Sequence, residues 1–387
     1  MNNTIISNIR NLVLVLLGLS ISLSVAVSNI LIISLVILVL CEGDFKKKIE
    51  NILSSKWMIS LIFLLVLYLV YYFIFGLFTD TLWVLKRVSL LWTLPILYSS
   101  SFSEKIIQKS VFAFLFSMFF SSFLAISENF GFVNINNTNW TWAAFLQYTD
   151  HNAFLAVVLI IAIYIVCKLK IEKKYRNIIF LFIPFYLFSI FTEGGRAGQI
   201  VFLFLLVLLL IFLFKNKIKL LILSLTTLFI FSITIYNTSS MVKNRFHFAI
   251  KSIKEKDDSF RNILFLHTVD LIKQNPVFGY GTGSFTDKFG EINKQTKRTV
   301  NYNHKTPHNN YLYVWFELGA LGIILLFSVF YFQIRELYKL KDGFVRILFP
   351  IMFLIIMLAD SYFFSQNTLV LYLFLSVVTL NYQYKSS

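Results

Sequence analysis

The segment Thr306-Pro307-His308-Asn309-Asn310-Tyr311 leads from a long polar stretch directly into an apolar run. Thr306 suits a helix N-cap and Pro307 the first helical position. That spacing puts His308 in a first turn, where the positive end of the helix dipole disfavours imidazolium. A neutral imidazole there can take a proton, so His308 is a candidate general base. The plainer alternative is a surface histidine bound to water or lipid headgroups.

Three arginines could hold an anion. Arg196 lies in Thr192-Glu193-Gly194-Gly195-Arg196-Ala197-Gly198, a tight link between two apolar runs. Small neighbours leave its guanidinium accessible to an anionic ligand; a pair with Glu193 or a lipid phosphate competes with that reading. Arg261 follows Asp257, Asp258 and Ser259 at the start of a predicted helix. A helix N-terminus with an Arg makes a phosphate site, and an ion pair with one of the aspartates is the alternative. Lys86 and Arg87 interrupt an apolar run after Trp83, where snorkelling explains them and steering of a polyanionic headgroup is the sharper possibility.

The acidic groups are fewer. Asp360 falls near the outer end of its apolar run, and Glu317 lies nine residues beyond His308. Each is costly in lipid and is expected to face other helices. Asp360 could orient His308 or a sugar, and a structural bond to a neighbouring helix is equally open for either. Gly319 and Gly322 read as a close-packing helix face. Asp150-His151-Asn152 forms another polar cluster without an assignable role. Neither Walker loop, dinucleotide-binding glycine signature, HExxH nor Cys/His metal spacing is present, so neither metal nor cofactor is expected.

The elements that must position these groups are membrane helices. The chain has 387 residues, 58% of them hydrophobic and only 14% charged, with a mean hydropathy of +0.75. Soluble domains run nearer ~45–50% apolar and ~25% charged. The net charge of +16 does not indicate nucleic acid, because Lys and Arg sit in short segments between apolar runs, as topology signals do. Clear runs of membrane-spanning length begin at Trp57, Trp83, Val111, Ala153, Ile178, Gln199, Ile218, Tyr311, Val345 and Thr368. The first apolar stretch, Asn11 to Cys41, is flanked by Arg10 and by Lys46, Lys47 and Lys48. Both of its ends are therefore expected inside, with two crossings turning near Ser28 and Asn29. It reads as spans and not as a cleaved leader.

The expected fold is an all-α integral membrane protein of about twelve transmembrane helices. Both termini are expected on the cytoplasmic side, since Arg196 is the one cation in the short outer loops. Residues 1–236 would hold helices one to nine, residues 237–310 a large outer loop, and residues 311–387 the last three helices. The loop carries 12 Lys/Arg against 6 Asp/Glu. A helix capped by Asp258 or Ser259 should run through Ile263, Leu264 and Leu271 until Pro276 ends it. Gly279, Gly281 and Gly283 would follow as a flexible or tightly turned stretch.

Together these residues resemble the O-antigen ligase family, within the larger group that includes O-antigen polymerases and protein O-oligosaccharyltransferases. The carrying motif is His308-Asn309, nine residues, then Gly319-Ala320-Leu321-Gly322. The outer loop before the histidine, Arg196, Arg261 and the stretch Pro276 to Phe285 are similar to the family as well. The specific motifs cover Thr192 to Gly322 plus Asp360; the first ~150 residues match in hydropathy alone.

The resemblance implies a metal-independent, cofactor-free transferase in a bacterial inner membrane. It would move a glycan from undecaprenyl pyrophosphate to a hydroxyl of lipid A–core on the periplasmic face, in lipopolysaccharide biosynthesis. His308 would deprotonate the acceptor, and Arg196 and Arg261 would hold the pyrophosphate. Asp360, Arg87, Asn309 and Glu317 would be supporting residues. An O-antigen polymerase, with the same donor and a lipid-linked glycan acceptor, is the nearest rival. A protein O-oligosaccharyltransferase fits less well, as does a transporter, whose ionisable groups should lie near the bilayer midplane.

Overall fold

The computed structural model describes residues 3–133, 135, 142–169, 171–238, 260–295 and 304–381. Helices occupy almost all of it. In chain order they are α1 (Asn3–Ser20), α2 (Val25–Cys41), α3 (Phe45–Ser54), α4 (Lys56–Phe75), α5 (Thr81–Leu91), α6 (Thr93–Tyr98) and α7 (Glu104–Asn129). A two-stranded antiparallel hairpin follows, with Trp142 opposite Gln147 and Ala143 opposite Leu146. Then come α8 (Tyr148–Lys168), α9 (Lys173–Thr192), α10 (Arg196–Phe214), α11 (Ile218–Thr238), α12 (Phe260–Gln274), α13 (Phe285–Gln295), α14 (Asn310–Tyr338), α15 (Gly343–Ile356) and α16 (Gln366–Asn381).

Among the described residues six helices (α4, α7, α8, α9, α10 and α14) are long and apolar enough to cross a membrane, or seven if the bent pair α2–α3 is one span. Shorter apolar helices lie at Thr4–Ser20, Ile218–Ile230, Gly343–Ile356 and Gln366–Asn381. The side chains agree with a lipid surround. Ile33, Phe63, Phe180, Ile200 and Ile324 are exposed, while Ser110, Ser117, Ser121 and Ser122 are buried. Apolar outside and small polar inside is how helices pack where lipid already solvates the apolar groups. Ser22, just past α1, donates to Ser117 of α7 at 2.8 Å, and a Cβ on Gly18 would collide with the Ser110 carbonyl. The chain is an all-α, multi-pass membrane protein.

Several local expectations are corrected. The first turn lies at residues 21–24, not at Ser28 and Asn29. Ser24 caps α2 by accepting from Val27 N, and Ser28 instead bonds back to Ser24 O within the helix at 2.9 Å. The run from Trp83 is broken at Trp92 into α5 and α6. Lys46, Lys47 and Lys48, which flank the first apolar stretch, lie on a short helix of their own, α3. Among the described residues of the polar segment, a further helix, α13, joins the expected one; its weak apolar pattern concealed it. Asp258 and Ser259, expected to cap α12, lie outside the described residues, as does Asp257.

Two central helices carry the bundle. α8 is buried from Asp150 through Ile160, and α16 from Thr368 through Val378. Their N-terminal ends meet: Asn367 Nδ2 donates to Asp150 Oδ2 at 2.8 Å, and Ser365 Oγ donates to the same oxygen at 3.3 Å.

Candidate functional site

α14 begins one turn later than its proline suggests. Asn309, extended at φ −156°, is the N-cap, and its Oδ1 accepts from Leu312 N at 3.0 Å. His308 therefore stands just outside the helix, in the left-handed region at φ 52°. That corrects the expected first-turn placement, with Thr306 as cap and Pro307 at the first helical position. The Asn309 amide also ties the cap to another segment, because its Nδ2 donates to Leu358 O at 3.1 Å. Its oxygen competes better for the helix amides than the Thr306 hydroxyl, which precedes the rigid Pro307.

The same asparagine pair staples α14 to the turn after α15. Asn310 N donates to Met357 O at 2.9 Å, and Asn310 Oδ1 accepts from Phe363 N at 2.9 Å. Asp360 sits inside the stapled turn, past the end of α15, not within the helix as its apolar surroundings suggest. This brings it to His308, 52 residues earlier: Nδ1 to Oδ1 is 2.8 Å. Ser361 N donates to the same oxygen at 2.7 Å. On the other oxygen, Oδ2, Arg261 from the first turn of α12 stands at 3.9 Å. Burial alone would raise the Asp360 pKa. The hydrogen bond and charge of His308, then the Ser361 amide and Arg261, outweigh it and hold the carboxyl below its ordinary value. With Asp360 ionised, the His308 Nδ1–H donates to it, and a neutral ring then carries its lone pair on Nε2. His304 lies beside His308, ring centroids 5.9 Å apart. Burial first, then the His308 charge, push His304 below the usual imidazole range.

Asp360 also lines a cavity of about 470 Å³ at this end of the bundle, with Arg87, Trp83, Asp150, Lys305 and Asn367. Arg87 is held in place: it donates to Gln366 Oε1 at 2.9 Å and lies 5.4 Å from the Trp83 ring centre. Lys305, absent from the sequence reading, pairs with the buried Asp80 at 2.9 Å and also approaches Trp83. The signal was available only in part, as a cation three residues before His308; the partner lies more than 200 residues earlier.

Arg196 is the first residue of α10 and is exposed. Its loop is tied to α8 by Asn152, whose Nδ2 donates to Gly195 O at 3.1 Å. Cβ atoms on Gly195 or Gly198 would collide with Asn152, so the glycines let α10 dock against α8. Glu193, one of the alternative partners considered for Arg196, accepts from Asn129 at 2.8 Å. Among the described residues Arg196 makes no ion pair with the His308 cluster.

Glu317 is placed elsewhere. It is fully buried, and its Oε1 accepts from Gly283 N at 2.8 Å. α14 is broken just beyond it, at Gly319 (φ 64°, ψ −160°). The loop of Gly279, Gly281 and Gly283 enters the break, with Tyr280 N and Gly281 N donating to the carbonyls of Phe316 and Glu317 at 2.9 Å each. Gly319 is thus a backbone crossing, where a Cβ would strike the Val277 carbonyl, and not a helix-packing face. The glycine stretch is tightly turned, with positive φ at all three glycines. Among the described residues no group of three or more His, Cys, Asp or Glu side chains could hold a metal ion.

Fold and site together define a polytopic membrane protein with a His–Asp–Arg cluster beside a polar cavity at one end of its helices. Residues 179–327 match the family described as O-antigen ligase, and so the resemblance read from the motif residues holds across that stretch. It takes in Arg196, Arg261, His308 and Asn309, and leaves Arg87 and Asp360 outside. An O-antigen ligase of Salmonella typhimurium is 39% identical over 72 residues; the match spans 17% of this chain and 17% of that protein.

Proposed function

We propose that this chain is an O-antigen ligase that joins a polyprenyl-linked glycan to a lipid-borne sugar hydroxyl. The donor is a glycan on undecaprenyl pyrophosphate and the acceptor lipid A–core. The chain crosses a bacterial inner membrane about twelve times with both termini in the cytoplasm, which puts the His308 end of the bundle in the periplasm. The observation that carries this reading is the 2.8 Å bond from His308 Nδ1 to Asp360 beside Arg261, which joins two residues of the family-matched segment, His308 and Arg261, to a carboxylate beyond it.

In the reaction, His308 Nε2 takes the proton of the acceptor hydroxyl as its oxygen attacks the anomeric carbon. The bond from that carbon to the pyrophosphate oxygen breaks, and the pyrophosphate leaves with the electron pair. Arg261 and Arg196, both exposed and open to an anion, meet the charge that grows on the leaving group through charge-assisted hydrogen bonds. Asp360 holds the imidazole tautomer and opposes the charge that forms on it. Direct displacement inverts the anomeric carbon. Arg87 and Asn309 position the cavity wall and the helix start, and Glu317 holds the glycine loop that packs beneath them.

The test is His308→Ala in a strain lacking the native gene, with lipopolysaccharide run on a gel and membranes blotted for carrier-linked glycan. Bare core with polymer-length glycan left on the carrier is the expected result. Single repeat units on the carrier would instead make the protein a polymerase, and an unchanged ladder at equal expression would remove His308 from the mechanism.

A further inference from the structure

The opposite end of the bundle carries a feature the transferase reading does not use. α16 runs from the His308 end at Gln366 to Asn381, sixteen residues, or about 24 Å away. There α2 stops at Cys41, and Gly43 and Asp44 both take positive φ, at 77° and 52°. The chain bends by 116° into α3 before Ser55 caps α4. α3 therefore lies across the ends of the spanning helices.

Its faces differ in chemistry. Phe45, Ile49 and Leu53, at i, i+4 and i+8, are 56%, 55% and 61% exposed. Ile52 packs inward against the core. At 100° per residue the apolar side chains fill one arc, Lys46 and Lys48 flank it, and Lys47 stands opposite. An apolar stripe edged by lysines suits a helix lying in the plane of the interface, with rings and branched chains at the acyl boundary and ammonium groups at headgroup level.

Behind the helix is a cavity of about 520 Å³, whose lining includes Arg10, Lys47, Lys48, Asn51, Ser99 and Ser100. Arg10 is nine-tenths buried and built in. It donates to Glu42 at 2.7 Å and to Ser101 O at 2.9 Å, and lies 4.6 Å from the centre of the Phe102 ring. Its Nε–H is buried and makes no hydrogen bond to the described residues. Lys48 donates to Val39 O, and Lys47 is exposed at the rim. The lining carries Glu42 and Asp44 against three cations, one of which already serves Glu42. The balance is positive, and the hydroxyls and amide add neutral donors.

We propose that this end binds an anionic phospholipid: the apolar stripe of α3 rests in the leaflet, and one headgroup phosphate sits in the cavity between Arg10 and Lys47. The lipid anchors α3, and through Ser55 the start of α4. Ser55 joins these elements to α14, because its hydroxyl donates to Glu336 at 2.9 Å.

The test uses the full chain in nanodiscs of phosphatidylcholine with or without phosphatidylglycerol, and bound lipid read by native mass spectrometry. Wild type should retain phosphatidylglycerol selectively, and K47Q/K48Q should lose about thirtyfold of that preference, since each lysine near an anionic surface contributes about 1 kcal/mol. Lys47 is exposed at the rim and Lys48→Gln gives up the bond to Val39 O, so transfer activity in pure phosphatidylcholine should match wild type while melting there falls slightly. Hydrogen exchange in α3 should slow on adding phosphatidylglycerol in wild type and stay unchanged in the variant. Equal lipid retention by the two proteins would overturn the proposal. So would displacement of phosphatidylglycerol by equimolar inorganic phosphate, which would mark a free-anion pocket.

Discussion

Asp360 is the residue whose replacement discriminates best between a positioning role and a merely structural one. In Asp360→Asn the side chain keeps its shape, and the geometry decides which way the amide turns. Ser361 N–H and the His308 Nδ1–H both point at Oδ1, so the amide oxygen must occupy that position and the nitrogen must take the place of Oδ2, facing Arg261 at 3.9 Å. The imidazole tautomer survives; only the charge is lost. A hydrogen bond to a charged group contributes about 1.5–3 kcal/mol and a neutral one about half that. At about 1.4 kcal/mol per factor of ten, Asp360→Asn should slow transfer about 3- to 10-fold. Asp360→Ala removes the bond altogether and frees the ring, for about 10- to 150-fold. The assay is single-turnover transfer from a purified carrier-linked glycan to a core acceptor, with protein folding followed by size-exclusion profile. If Asn proves as damaging as Ala, the tautomer argument fails. If Ala matches wild type, Asp360 does not position His308 at all.

The pH response follows from the same contacts. Because the folded Asp360 carboxyl titrates below its ordinary value, its stabilisation is complete above the unfolded value of about 3.9 and is lost as pH falls through the folded one; the melting difference between wild type and Asp360→Asn should therefore shrink in strong acid. Arg196→Ala leaves an exposed site, so expression and melting should hold while transfer falls about 10-fold or more, the loss expected for one charge-assisted contact to the leaving group; unchanged transfer would take Arg196 out of donor binding. Gly319→Ala meets both a left-handed φ and the Val277 carbonyl, and should cost at least about 1–3 kcal/mol, whereas Gly290→Ala, with open space around it, should stabilise α13 by about 0.5–1 kcal/mol. Thermal melting in detergent compares the two. Glu317→Ala orphans the buried Gly283 amide and should destabilise by about 1–3 kcal/mol; Glu317→Gln keeps an acceptor and should retain both fold and activity, which a proton-transfer role for Glu317 would contradict.

Much of the architecture could be read without coordinates. Each apolar run proposed as a crossing contains a helix, because a segment in hydrocarbon must satisfy its own backbone and hydropathy reports that requirement residue by residue. α12 was legible from its apolar spacing and from Pro276. α13 was not, since its polar residues hide the two aromatic anchors, Phe285 and Phe289, that hold it. Helix ends were harder. Thr306 and Asn309 both have capping side chains, and only Asn309 also reaches the Leu358 carbonyl of another segment. The site was legible as a set of residue types, but not as pairs.

What the sequence determined by itself was therefore the membrane character, the approximate place of each apolar helix, and the candidates His308, Arg196 and Arg261. These depend on local properties: hydropathy, charge and short spacing. Only the tertiary structure decided that Asp360 meets His308 and Arg261, that Lys305 answers Asp80, and that Glu317 grips the glycine loop instead of standing by the histidine. A helix that is apolar all round carries little information about which neighbour it will face. The partners are chosen by helix ends and by backbone crossings such as Gly319, where a few buried hydrogen bonds between distant segments leave one arrangement that satisfies every group.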